Sequence, residues 1–235
     1  MTKPKIGIIE WPYKDQDGDY IYEVLSPIIE SVARSGGIPV GIFPSQIVNY
    51  QDTRLSDIPD LTEGEKDDIL YSINNCDAVL KPGATKIYGY ERFIYDYVLN
   101  ENIPYLGICA GMQLMAAHGK QRIENVKIES NINHKVSDTS YAHEITLLDS
   151  KLKEIINKDK ILVSSRHLYR VPDSGVHKVS AMAPDGVIEA IENDNCDFNI
   201  GVQWHPELLK NDINSKRLFD HFIDAAQSYK IKKLK

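Results

Sequence analysis

The stretch Pro104-Tyr105-Leu106-Gly107-Ile108-Cys109-Ala110-Gly111-Met112-Gln113 admits few folds. An apolar run, Tyr105 to Ile108, ends at a cysteine with a glycine two residues to either side, and a helical pattern follows. A G-x-C-x-G of this form predicts a strand that turns sharply into a helix. The residue at the turn is then held in a strained backbone conformation with its side chain raised. The glycines remove the Cβ atoms that would clash in so tight a turn. Cys109 would stand at a helix N-terminus, where partial positive charge and free N–H groups favour a thiolate. Two readings are open at this point: a catalytic nucleophile, or a buried structural thiol before an ordinary turn.

The pattern upstream places this elbow in a sheet. Strands are predicted over 5–9, 38–43, 77–80 and 105–108, from short β-rich runs. Apolar spacing predicts helices over 20–35, 62–74, 91–100 and 110–118. Residues 10–19 read as a loop. Gly36-Gly37 stops the first helix, and Thr62 with Glu65 forms a capping-box pattern. The β-α alternation predicts a mostly parallel, flavodoxin-like α/β sheet with helices on both faces, joined by right-handed crossovers. Ligands bind such sheets at the carboxyl ends of strands, where Cys109 and the Pro82-Gly83-Ala84 turn both lie.

The second half is richer in strands. Residues 142–148 alternate, 150–157 form a short helix, and 161–164 form a strand. Residues 178–182 and 187–192 flank Pro184-Asp185-Gly186, a hairpin turn in which proline sets φ and glycine supplies positive φ. A further strand covers 199–204, and an amphipathic helix covers 214–226. Residues 1–235 read as one domain, with 230–235 as a solvated basic tail.

Composition narrows the class. The formal charge is −7, which argues against nucleic acid or an anionic membrane as partner. No stretch approaches the roughly 20 apolar residues of a membrane span, and the N-terminus lacks the apolar core of a signal peptide. The 3 cysteines show neither CxxC nor Cys/His ligand spacing. The expectation is a reduced, cytoplasmic protein without a disulfide framework or a zinc site. Cys76 and Cys196 read as structural thiols.

A nucleophilic cysteine needs a base that takes its proton and returns it to the leaving group, and that base needs an orienting partner. Among 7 histidines, His205 is followed by Glu207 two residues on, with Pro206 between. In extended chain, residues i and i+2 face the same way, so the carboxylate can reach the imidazole. A plain surface turn is the alternative.

The two runs together change the reading. Gly107-Ile108-Cys109-Ala110-Gly111-Met112-Gln113 and Gly201-Val202-Gln203-Trp204-His205-Pro206-Glu207 resemble the two triad motifs of the class I glutamine amidotransferase superfamily. Ala183-Pro184-Asp185-Gly186-Val187-Ile188-Glu189-Ala190 and Ser35-Gly36-Gly37-Ile38-Pro39-Val40 look like its γ-glutamyl-γ-aminobutyrate hydrolase, or peptidase C26-like, branch. The resemblance covers nearly the whole chain. It implies a Cys109-His205-Glu207 triad and an oxyanion hole from the backbone of Ala110 and of Gly83 and Ala84. It implies γ-glutamyl amide hydrolysis through a cysteine thioester, with no metal and no organic cofactor.

It also implies substrate contacts at Gln113, Ser165 and His167; Arg166 reads either as an exposed strand-end charge or as a guanidinium for a substrate carboxylate. The chain departs from the branch at Ala110, where arginine is usual, and at Ala84, where a second glycine is usual. Tyr169 stands where glutamine is expected, and the segment 85–90 is short. The expected partner is a small γ-glutamyl compound or glutamine. A separate synthetase subunit that receives ammonia is the rival reading, a non-catalytic ligand- or protein-binding relative is the second rival, and a homodimer is left open.

Overall fold

The computed structural model describes residues 2–120, 125–136 and 140–234. In chain order the elements are β1 (Lys5–Ile9), β2 (Trp11–Lys14), β3 (Tyr20–Glu23), α1 (Ser26–Arg34), β4 (Ile38–Ile42), α2 (Glu63–Asn74), β5 (Ala78–Lys81), α3 (Gly89–Asn100), β6 (Tyr105–Ile108) and α4 (Ala110–Ala116). The second half adds β7 (Val126–Lys127), β8 (His143–Leu147), α5 (Lys151–Ile156), β9 (Lys160–Val163), β10 (Tyr169–Arg170), β11 (Lys178–Met182), β12 (Ile188–Glu192), β13 (Asn199–Val202) and α6 (Ile213–Lys233).

Local chemistry starts and stops several of these. Thr62 accepts from the Glu65 N–H, and the Glu65 carboxylate accepts from the Thr62 N–H, so α2 begins with both halves of a capping box. The β11–β12 hairpin closes around Pro184-Asp185-Gly186, with Gly186 at φ +81°. Asp212 caps α6 by accepting from the Ser215 N–H at 2.7 Å.

Two sequence expectations need correction. The helix expected over 20–35 begins only at Ser26, because Pro27 fits the first turn of a helix and breaks its interior. The residues before it, Tyr20–Glu23, pair antiparallel with Trp11–Lys14, within what read as a loop. The last helix, expected over 214–226, is longer: α6 runs to Lys233, with residues 231–234 exposed, and Lys230 Nζ donates to the Lys3 carbonyl at 2.8 Å. Lys235 lies outside the described residues.

Nine strands form one sheet in the order β4-β1-β5-β6-β13-β12-β11-β8-β9. The first five are mutually parallel, and the pairs from β13 to β9 are antiparallel. One face is covered by α1, α5 and α6 through Ile28, Val32, Leu152, Ile156, Phe219 and Phe222. The other is covered by α2, α3 and α4 through Ile69, Ile73, Ile94, Val98, Met112 and Met115. This is the expected three-layer α/β fold. Among the described residues no helix is long and apolar enough to cross a membrane.

The parallel register decides where chemistry can occur. Lys81 pairs with Gly107, and Ile108 pairs with Val202. The loops leaving β5, β6 and β13 therefore emerge side by side at one edge of the sheet. They carry Pro82-Gly83-Ala84, Cys109 and Gln203-Trp204-His205.

Candidate active site

Cys109 has φ +52° and ψ −101°, a conformation that L-residues rarely adopt. The two flanking glycines make the turn sterically feasible. A Cβ on Gly107 would lie 2.6 Å from the Gly111 carbonyl carbon, and a Cβ on Gly111 would lie 2.3 Å from the Lys81 carbonyl oxygen. Both contacts are with backbone, which cannot step aside. The Cys109 N–H donates to the Val202 carbonyl at 2.7 Å, which fastens the elbow to β13.

Gly83 closes the arrangement from β5. A Cβ there would be 2.9 Å from His205 Cε1 and 3.4 Å from Cys109 Cβ. Glycine is needed at 83 for this close approach and not for a left-handed φ. Ala84 is also absent from the positive-φ residues, so an alanine in place of a second glycine carries no backbone strain. Gly83, Cys109 and His205 thus meet within van der Waals range.

His205 and Glu207 are joined by a 2.6 Å contact between Nδ1 and Oε1. The sequence reading placed them in extended chain, but Pro206–Leu208 form a 3-10 turn, and the turn brings the carboxylate back under the ring. Both side chains are buried. Ser164, just past β9, brackets the His205 backbone: its carbonyl accepts from the His205 N–H at 3.2 Å, and its hydroxyl donates to the His205 carbonyl at 2.5 Å.

Burial alone would depress the His205 pKa. The Glu207 charge and hydrogen bonds to Cys109 and Glu207 outweigh burial and lift it to about 10. His205 is then an imidazolium at neutral pH. This folded value lies above the ordinary 6.5. The ion cluster therefore stabilises the fold fully below about pH 6.5, and that stability is lost as pH rises through about 10. Urea midpoints measured from pH 6.5 to 10 are expected to fall more steeply for the wild type than for His205→Asn. Parallel profiles for the two proteins would contradict the assigned charge state.

Ala84, Ala110 and Gln113 line an open cleft of about 1060 Å³, together with Lys86, Arg92 and Asn125. Gln113 is tied at both ends. Its Nε2 donates to Gln203 Oε1 at 3.2 Å, and its Oε1 accepts from Asn125 at 2.9 Å. Gln203, fully buried, directs its Nε2 to Cys109 Sγ at 3.5 Å. Gln203 was not singled out from sequence, although it stands two residues before His205 in the same motif.

Ser165, Arg166 and His167, expected to face the substrate, are held by contacts of their own, and like Cys109 and His205 they are not among the residues lining this cleft. Ser165 is fully buried and donates to the His134 carbonyl at 2.6 Å. Arg166 bridges to Lys135 through the backbone. His167 turns inward to Glu189, 3.6 Å away. Tyr169 is half-exposed on β10, and its carbonyl faces His167 Nδ1 at 3.1 Å. Pairing of the strand-end backbone with residues 134–136 fixes the face each of these residues takes.

Ligand spacing in the sequence pointed to no metal. Among the described residues, however, His134, His143, His167 and Glu189 converge, all buried, with one potential ligand atom from each within 4.8 Å of the others. Their spacing of 9, 24 and 22 positions resembles no local motif, so only the fold brings them together. The other two cysteines are buried, and burial pushes the Cys76 thiol up to about 11 and raises that of Cys196. Neither is placed for thiolate chemistry.

Residues 6–207 match the sequence profile of the Peptidase C26 family. The chain belongs to that family, within the class I glutamine amidotransferase-like superfamily. A protein of Schizosaccharomyces pombe described as a candidate glutamine amidotransferase, PB2B2.05, is 29% identical over 212 residues, covering 86% of this chain and 81% of that one. The CTP synthase of Chlamydia caviae is 28% identical over 200 residues. That match covers 71% of this chain and only 37% of the synthase, little more than a third of its length. Among solved structures, the glutaminase domain of the Trypanosoma brucei CTP synthase with bound acivicin superposes with TM-score 0.70 at 16% identity. The superposition covers 96% of this chain and 94% of that domain. This likeness shows the fold.

Proposed function

We propose that the chain hydrolyses the γ-glutamyl amide bond of a small γ-glutamyl compound, releasing glutamate and an amine. One observation carries the reading: a strained Cys109, a His205–Glu207 pair and the Gly83 turn converge beside an open cleft. The Cys109 sulfur attacks the amide carbon of the γ-glutamyl group. The oxyanion accepts hydrogen bonds from backbone N–H groups of Ala110 and the Gly83-Ala84 turn. His205, already protonated, gives its proton to the departing nitrogen, and the C–N bond breaks to leave a thioester. Neutral His205 then takes a proton from water, hydroxide adds to the thioester, the C–S bond breaks and glutamate leaves. Glu207 holds the imidazole orientation through both halves.

Gln113 and Gln203 orient the thiol and the edge of the cleft, and Lys86 and Arg92 offer cations for the substrate's α-carboxylate. No step in this scheme calls on a metal or an organic cofactor.

A second reading has its own support: the chain matches part of a CTP synthase, so ammonia from glutamine could pass to a separate synthetase. Glutamate release from glutamine and from a panel of γ-glutamyl amines, assayed on the purified chain alone, separates the two. Turnover of at least one γ-glutamyl amine without a partner is the expected result. Turnover of glutamine only on addition of a synthetase would replace the hydrolase reading with the ammonia-donor one. Failure of a glutamine-derived electrophile to label Cys109 would instead favour a non-catalytic binding protein.

A further inference from the structure

We propose that His134, His143, His167 and Glu189 form a structural binding site for one divalent transition-metal ion of the zinc class. The site lies outside the thiol machinery. Its residues come from four segments: the stretch before Lys135, strand β8, the stretch after β9, and strand β12.

Outer contacts fix which ring nitrogen of each histidine faces inward. His143 Nδ1 meets the Glu144 carbonyl at 3.3 Å, and His167 Nδ1 meets the Tyr169 carbonyl at 3.1 Å. His134 Nε2 meets the Asp185 carboxylate at 2.9 Å. A carbonyl or carboxylate oxygen can only accept, so each of these outer nitrogens carries the hydrogen in a neutral ring. The remaining atoms, His134 Nδ1, His143 Nε2 and His167 Nε2, then present lone pairs.

All three lone pairs point at the same oxygen. Glu189 Oε1 lies 3.2 Å from His134 Nδ1, 3.5 Å from His143 Nε2 and 3.6 Å from His167 Nε2. With the rings in these neutral forms, four acceptors face one another at zero to five per cent side-chain exposure, and no other group among the described residues donates to these atoms. Buried acceptors without a donor are strongly unfavourable. A cation at their centre removes the conflict.

The spacing suits that cation. Tetrahedral zinc with bonds of about 2.0–2.1 Å places its ligand atoms roughly 3.3–3.4 Å apart. Three imidazoles and one carboxylate exclude the oxygen-seeking calcium and magnesium. A charge of +2 balances the carboxylates of Glu189 and Asp185, and carbonyl or carboxylate partners on the outer nitrogens are the usual support of metal-bound histidine. Four protein ligands leave no open position, which marks a structural rather than a catalytic site. The Pro184-Asp185-Gly186-Val187-Ile188-Glu189 stretch, used by no step of the hydrolysis, thereby gains a role. It supplies both Glu189 and the carboxylate behind His134.

The site also braces the catalytic edge. The Glu189 carbonyl accepts from the Gln203 N–H at 2.7 Å, and Ser164 and Ser165, which hold His205 and the His134 loop, stand three and two residues before His167.

The test uses the full chain without a polyhistidine tag. Elemental analysis after dialysis into metal-free buffer is expected to find about one equivalent of zinc-class metal. Chelator-stripped protein titrated with Zn2+ alone should gain about 10 °C in Tm, the size expected for a tight ligand on a chain of this length. Co2+ should give the visible bands of a tetrahedral nitrogen–oxygen site with no thiolate charge-transfer band. Glu189→Gln and His143→Ala should lose the stoichiometric metal, and Cys109→Ala should keep it. Stripped, folded wild type that takes up no stoichiometric Zn2+ or Co2+ overturns the proposal and leaves a protonated histidine as the occupant. A thiolate band, or binding lost in Cys109→Ala, assigns the metal to the Cys109–His205 pair and overturns it equally. The wild-type arms decide the matter even if the cluster variants fail to fold. Whether the active site turns over γ-glutamyl compounds has no bearing on any arm.

Discussion

Cys109→Ala is expected to lower the rate of glutamate release by roughly 10⁶-fold, the scale on which removal of a triad nucleophile acts. The protein should stay folded, because the side chain is small and the elbow is fastened by backbone contacts to β13. His205→Ala should lose about as much, and the double variant hardly more. The reason is chemical: a sulfur without its proton carrier, or the carrier without its sulfur, performs none of the bond changes. A double-mutant cycle on kcat/KM measures this non-additivity. Losses that add, or a Cys109→Ala variant within tenfold of wild type, would remove Cys109 from the reaction. Residual turnover would then have to come from the oxyanion donors and cleft alone.

Lys81→Met is expected to destabilise the protein by about 3–5 kcal/mol, as breaking one half of a buried ion pair does. Lys81 and Glu91 are both fully buried, with Nζ and Oε1 2.9 Å apart. The pair is built into the site's support. Lys81 Nζ also donates to the Pro82 carbonyl at 3.1 Å, and Glu91 Oε2 accepts from the Tyr88 N–H at 2.7 Å. Lys81 therefore holds both ends of the loop that carries Gly83. Removing the ammonium strands a carboxylate between strand and helix, where nothing else among these contacts offsets its charge. Adding Glu91→Gln to Lys81→Met should recover most of the loss, because the stranded charge disappears with it. Urea unfolding of the three proteins tests this. A single variant within about 1 kcal/mol of wild type would mean that water reaches Glu91 and the pair is not sealed. The same variant should lower kcat more than it raises KM, since this lysine positions the turn proposed to bind the oxyanion.

Much of the site was legible because its geometry is local. The glycines at 107 and 111 announce a turn that their backbone distances require. His205 and Glu207 are two residues apart, so any compact backbone between them allows contact. Thr62 and Glu65 satisfy one another within a single helical turn. The surroundings of Ser165 and His167 were not legible for the opposite reason. The face that a strand-end side chain takes depends on which segments flank it, and here residues 134–136 and β12 do so. Pro27 was readable yet outvoted by apolar spacing, and its missing N–H decides where α1 begins.

The sequence by itself determined the alternation of strands and helices, the elbow that raises Cys109, and the closeness of His205 to Glu207. Each follows from residues within a few positions of one another. Only the tertiary structure decided that Gly83 lies against both Cys109 and His205, that Lys81 meets Glu91, and that three histidines from separate segments surround Glu189. The registers of β5, β6 and β13, and of the antiparallel strands beyond, set these encounters. Register is a relation between residues tens of positions apart, and no local pattern of amino acids contains it.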